Sequence, residues 1–186
     1  MLPIEYMQLG IIEDGFAKEI YPNVFELHKI LLAEKYNFIM VQDISQLFQE
    51  AGFDLAIPEV DLACRFPKLG FPEGLGDYDV LAIHKASNEI WIIESKVLQK
   101  VGSIYEDQMQ QKSFFYQHKD DEKFQRRINY IIDNKEKVLN AFGIDSTNYS
   151  VIPYMVTNKL FSSRYKKIEF PIITYYELQK FLGEHI

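Results

Sequence analysis

Asp79, Glu94 and Lys96 carry the residue types and the spacing that hydrolytic chemistry would need. They lie in GDYDVLAIHKASNEIWIIESK, Gly76 to Lys96, where two apolar runs, VLAI and IWII, flank a polar HKASNE. Side chains alternate faces along a strand, so Glu94 and Lys96 share one. A hairpin turn centred on Ala86–Ser87 pairs His84 with Glu89 and places Asp79 directly opposite Glu94. Directly opposed residues have Cβ atoms roughly 4.5–5.5 Å apart, and like charges so placed destabilise a sheet. Burial among apolar neighbours raises that cost. A hard divalent cation such as Mg²⁺ would offset it, since it takes oxygen ligands and uses one or two carboxylates together with phosphate and water. Lys96 would then sit beside the metal, placed to orient or activate a water or to stabilise charge on a phosphate. The plain alternative is that the three residues line the solvated mouth of a sheet.

These residues need a hairpin, and the rest of the chain must build the layer around it. Apolar residues at Val24, Leu27, Leu31 and Leu32 after Pro22 predict an amphipathic helix. DISQLFQEAG predicts a second, with Asp43 as N-cap, Gln46 at the third position and Gly52 beyond its end. Residues 53–75 read as a loop with a short strand near Glu59–Arg65. Strands are expected over Tyr78–His84 and Glu89–Val97. SIYE, Ser103 to Glu106, is a capping box opening a helix to about Gln117. A further helix follows Asp121, with Phe124, Ile128, Ile131, Val138 and Phe142 on its apolar face and Gly143 at its end. Tyr149–Thr157 and Glu169–Thr174 read as strands, and the capping box Thr174 to Glu177 opens a last helix. The fold class is α/β, a mixed central sheet flanked by helices. A single domain over 1–186 is expected: an N-terminal helical part (1–52), a sheet core with inserted helices (53–174) and a C-terminal helix (175–186).

The 186 residues are 47% hydrophobic and 15% aromatic, which argues for a packed core and against disorder. One cysteine, Cys64, excludes an intrachain disulfide framework and fits a reducing, cytoplasmic location. The N-terminus MLPIEYMQLGII lacks the basic start and long apolar run of a signal peptide, and no run reaches the length of a membrane span. Net charge is −7, unevenly spread. Residues 1–96 hold 7 Lys and Arg against 16 Asp and Glu, a net of −9; residues 97–186 hold 13 against 11, a net of +2. From Ser146 to Ile168 there are four cations, Lys159, Arg164, Lys166 and Lys167, and no acid. The plain reading is ordinary surface variation, and a net charge of −7 does not advertise a nucleic-acid binder; for a phosphodiesterase, that stretch would be the candidate grip on a nucleic-acid backbone.

GDYDVLAI…IWIIESK resembles the core signature of the PD-(D/E)XK, restriction-endonuclease-like nuclease superfamily: an Asp on one strand, then Glu-x-Lys on the next. The resemblance is best over residues 76–98 and extends loosely to VIPYMVTN. It implies a restriction-endonuclease-like core and Mg²⁺- or Mn²⁺-dependent hydrolysis of phosphodiester bonds in DNA. Asp79 and Glu94 match the metal ligands, the Ser95 carbonyl the main-chain ligand, and Lys96 the catalytic lysine. Asp77 is the other candidate for the Asp position. Glu26 is in a comparable place to a first-helix Glu, and Gln108 or Gln111 to a Gln that some members carry on the helix after Glu-x-Lys. Pro72–Glu73 stands where a literal Pro-Asp would precede the motif. DNA is the implied partner, no membrane is expected, and a homodimer or larger assembly is admitted.

His28, His84, His118 and His185 show no zinc-site spacing. GFPEGLGD lacks the Lys-Ser/Thr of a phosphate loop, and there is no G-x-S-x-G elbow. The aromatic residues Phe114, Phe115 and Tyr116 read as core and boundary side chains. The competing class is a catalytically inactive restriction-endonuclease-like module that binds nucleic acid or a protein partner.

Overall fold

In the computed structural model the described residues are 22–98, 103–145, 148–160 and 167–184, with side chains described from residue 34 onward. The chain divides into two compact units, residues 1–38 and 39–186. Helix α1 (Pro22–Glu50) runs through the division. The second unit holds β1 (Leu55–Val60), the short α2 (Leu62–Arg65), β2 (Tyr78–His84), β3 (Glu89–Lys96), α3 (Ile104–Lys112), α4 (Asp120–Asp133), α5 (Lys135–Ala141), β4 (Ser150–Thr157), β5 (Ile172–Thr174) and α6 (Tyr175–Glu184). The five strands form one open mixed sheet in the order β1-β2-β3-β4-β5. β1, β2 and β3 are antiparallel neighbours, whereas β3, β4 and β5 run parallel. The fold class is therefore α/β, as expected. Among the described residues no helix is long and apolar enough to cross a membrane.

The sheet is covered on both faces, which is why its central strands are apolar runs rather than alternations. Val80, Ala82, Trp91, Ile93 and Val156 pack against Met40, Val41, Ile44 and Phe48 of α1 and Leu178 and Leu182 of α6. Leu81, Ile83, Ile90, Ile92 and Met155 pack against Phe124, Ile128 and Ile131 of α4 and Val138 and Leu139 of α5. α3 continues into a π-helical stretch, Ser113–Gln117, which brings the adjacent Phe114 and Phe115 both into that layer.

Four expectations need correction. The two N-terminal helices are one, because neither Gly nor Pro interrupts residues 23–50 and Met40, Val41, Ile44 and Phe48 form one buried stripe across the expected break. Asp43 is thus mid-helix and caps nothing. The stop at Gly52 holds: Phe53 N–H bonds to the Phe48 carbonyl and Gly52 N–H to that of Gln49, a Schellman closure with Gly52 at φ 79°. The strand expected near Glu59–Arg65 lies earlier, at β1, an edge position that tolerates Pro58. Asp61 ends it by accepting from Ala63 N and Cys64 N and opening α2. The helix expected through Phe142 breaks at Asn134, whose side chain and backbone both donate to the Tyr130 carbonyl. Residues 169–171 precede rather than join β5. The capping box at Thr174 is present, Thr174 and Glu177 bonding reciprocally, and Ser103 caps α3 by accepting from Glu106 N.

Candidate functional site

The β2–β3 pairing follows the expected register, from His84↔Glu89 to Val80↔Ile93. Continued by one residue, it sets Asp79 opposite Glu94, on the face that α4 covers. Asp79 accepts a 2.6 Å hydrogen bond from Ser95 N–H, so its carboxylate is drawn onto the β3 backbone. Asp77 is exposed and Asp79 is not, which separates the two candidates by environment. Glu94 is 5% exposed. One of its oxygens meets Lys96 Nζ at 3.1 Å and the other meets Arg127 Nη2 of α4. Lys96 Nζ also lies 3.9 Å from Asp120 Oδ1, and Lys123 Nζ lies 3.8 Å from the same oxygen. The result is a charged cluster at the carboxyl end of β3, closed on one side by the first two turns of α4.

Its electrostatics follow from burial. Asp79 is pushed up from 3.8 to about 7, first by desolvation and then by the charge of Glu94, against the opposing pull of Ser95 N–H, Lys96 and Arg127. Burial works to lower the Lys96 ammonium, but the charges of Glu94 and Asp120 overcome it and the net shift is upward. Lys96 therefore holds its proton. Arg127 is placed by its helix: its carbonyl accepts from the Tyr78 hydroxyl at 3.3 Å, and its guanidinium carbon lies 5.8 Å from the Phe124 ring centre. Gly76, at φ 85°, passes close beside it; a Cβ there would lie 3.2 Å from Arg127 Nη1.

Two opposed carboxylates beside the Ser95 backbone are hard oxygen donors, the chemistry that suits Mg²⁺ or Mn²⁺. Among the described residues no group of three or more His, Cys, Asp or Glu side chains is placed to hold a metal ion. The donor set is thus Asp79 and Glu94, and the remaining ligands would be a carbonyl, water and substrate oxygens, as Mg²⁺ commonly accepts. The buried, raised carboxyl of Asp79 is the feature that fits a cation, because a positive charge between the pair would relieve both causes of the shift.

The other candidate residues are dispersed. Glu26 lies in the first unit, in the helical backbone of α1, and its side chain falls outside the described residues. Gln111 is buried and donates to Asp107 at 2.8 Å; Gln108 is exposed beside Tyr105, Met109, Lys112 and Tyr116 on a groove along α3. Of the basic segment, Arg164 and Lys166 lie outside the described residues, Lys167 is exposed, and Lys159 Nζ sits 3.5 Å from Asp107. The described part of the segment includes β4. It leaves β4 at Thr157, the parallel partner of Lys96. Asn158 staples that exit, accepting from Leu98 N and donating to Leu98 O.

Arg127 and Asp120 are the cluster members that the motif does not contain. A signal for them existed: Asp120, Phe124, Arg127 and Ile131 recur at helical spacing, so charges share the face of α4 that packs on the sheet, and Asp121 of the same helix is buried too. No family model, curated protein or solved structure matches the chain.

Proposed function

We propose that the chain is a metal-dependent nuclease of the PD-(D/E)XK kind, hydrolysing phosphodiester bonds in DNA. The observation that carries this reading is the opposition of Asp79 and Glu94 on one covered face, with Lys96 two residues further along β3 and in contact with Glu94. An arrangement that raises a carboxyl to about 7 opposes folding near neutral pH, and a cation at the pair offsets it. A bound Mg²⁺ or Mn²⁺ would supply charge neutralisation and polarise a phosphate oxygen. Asp79 and Glu94 hold that ion, with the Ser95 carbonyl as the main-chain ligand. Lys96, beside Glu94, stabilises negative charge developing on the phosphate. The basic segment that leaves β4 beside Lys96 steadies the DNA backbone through Lys159, Arg164, Lys166 and Lys167. The test is cleavage of supercoiled plasmid with Mg²⁺, with Mn²⁺ and with EDTA. Metal-dependent cleavage that is lost in Lys96→Ala is the expected result, and wild-type protein that leaves the plasmid intact with both metals refutes the proposal.

The non-catalytic module is favoured by one observation: Glu94 already has a cation on each oxygen, so its charge is answered without metal. Calorimetric titration with Mn²⁺ separates the two readings, since a module of that kind needs no metal affinity.

A further inference from the structure

Arg127 puts a cation where the proposed ion would act. Arg127 reaches in from α4 and pairs with Glu94, the buried carboxylate shared with Lys96. The guanidinium engages Glu94 through Nη2, while its Nε is buried with no hydrogen-bond partner. Arginine–carboxylate pairs are frequently forks of two parallel N–H bonds. Arg127 is seated differently, with one buried donor left unsatisfied, which is a costly state to maintain without purpose. Its seat is close: a Cβ at Gly76 would lie 3.2 Å from Nη1, and the Phe124 ring centre lies 5.8 Å from the guanidinium carbon.

Charge counting gives the same direction. Asp79, Glu94 and Asp120, taken as ionised, stand against Lys96, Lys123 and Arg127, which leaves the cluster neutral. A divalent ion added to that set brings two positive charges, and turning Arg127 away removes one of them.

We propose that Arg127 is an internal counter-ion that holds Glu94 until a divalent cation replaces it, so that metal loading and release of the guanidinium are one exchange. This rests on the reading of Asp79 and Glu94 as a metal site. Arg127 is then a positioning residue: it keeps the apo site folded and sets how tightly metal binds, without touching the reacting atoms.

The experiment is calorimetric titration of the full chain with Mn²⁺, comparing wild type with Arg127→Gln and Arg127→Lys. One close charge beside a carboxylate shifts its cation affinity by about tenfold or more. Arg127→Gln should therefore bind Mn²⁺ about tenfold more tightly than wild type, and Arg127→Lys, which retains the charge, within about threefold of it. A merely structural Arg127 would make both variants bind more weakly, and equal or weaker binding by a folded Arg127→Gln overturns the proposal. Should removal of the charge prevent folding, the wild type provides its own test. The ¹⁵N–¹H guanidinium signal of Arg127 should be protected from solvent exchange in EDTA and lose that protection as Mg²⁺ is added. A signal unchanged when Mg²⁺ is bound overturns the exchange. Absence of any Mn²⁺ or Mg²⁺ binding overturns both the exchange and the metal site, whereas metal binding without plasmid cleavage strikes only the nuclease reading.

Discussion

Replacing Asp79 by Asn should stabilise the metal-free protein at neutral pH, and the gain should grow with pH in a defined window. The Asp79 carboxyl rises from 3.8 to about 7 on folding, through burial first and Glu94 second. Below about pH 4 it is protonated in both states and its contribution to stability is fully present. Between about pH 4 and 7 the unfolded chain releases its proton while the folded chain keeps it. Stability then falls by about 1.4 kcal/mol per pH unit, so that roughly 4 kcal/mol is lost once the pH passes the folded value. Relaxation around the cluster makes that a ceiling, and about 2–4 kcal/mol is the working range. Asn has no proton to release, and its amide oxygen can still accept from Ser95 N–H. The difference in unfolding free energy, variant minus wild type, should therefore climb by about 2–4 kcal/mol between pH 4 and pH 8. Urea denaturation in EDTA at several pH values measures it, and taking the difference cancels the other titrating groups. Mn²⁺ at pH 8 should then stabilise the wild type and leave the Asn variant nearly unmoved. A difference that is flat or falls with pH would show that Asp79 is not a strained carboxyl.

Lys96→Ala should abolish plasmid cleavage yet leave the fold intact by circular dichroism, since Lys96 is partly exposed at the strand end and Arg127 still answers Glu94. Cleavage at the wild-type rate would remove Lys96 from the chemistry. Gly76→Ala should destabilise the protein by about 1–3 kcal/mol in urea titrations, from a strained positive φ and pressure on Arg127. An unchanged unfolding midpoint would count against a snug seat for the guanidinium. Neutralising Arg164, Lys166 and Lys167 together should lower DNA affinity for all sequences alike, measured in Ca²⁺ to block cleavage. The log–log salt slope should flatten by roughly 0.9 for each lost duplex contact. Superimposable salt curves would place the DNA elsewhere.

Local patterning made most of the sheet legible. Apolar runs interrupted by a polar HKASNE determine a hairpin, and the turn centre determines its register, because each residue of β2 has one partner whose face matches. The caps at Ser103 and Thr174 were equally readable, since each is a short contact between neighbours in sequence. Continuity of helices was not. Asp43 and Gln46 have the composition of a helix start, yet the stripe from Met40 to Phe48 rewards an unbroken helix, and packing prevailed over capping. Asn134 did the reverse, ending a stripe that runs on in sequence by bonding back to Tyr130.

The proposed site divides along the same line. Asp79, Glu94 and Lys96 lie on two strands joined by a turn, so their juxtaposition follows from local pairing. Arg127 is 33 residues from Glu94 along the chain, and its arrival there depends on how α4 is laid across the sheet. Pattern reading treats an arginine in a charged helix as surface. The better rule weighs the face. On α4, Arg127 falls between Phe124 and Ile131, residues wholly shielded from water, so its charge must enter the core with them. A buried cation requires a buried anion, and on the sheet beneath α4 the acids are Asp79 and Glu94, of which Arg127 meets Glu94. The misplaced charges together could have pointed to an ion pair across these two layers, though none of them alone. That mutual dependence is also why Arg127, rather than Lys96, is expected to respond first when a competing cation reaches Glu94: Lys96 has Asp120 as a second anion nearby, and Arg127 has an unsatisfied Nε.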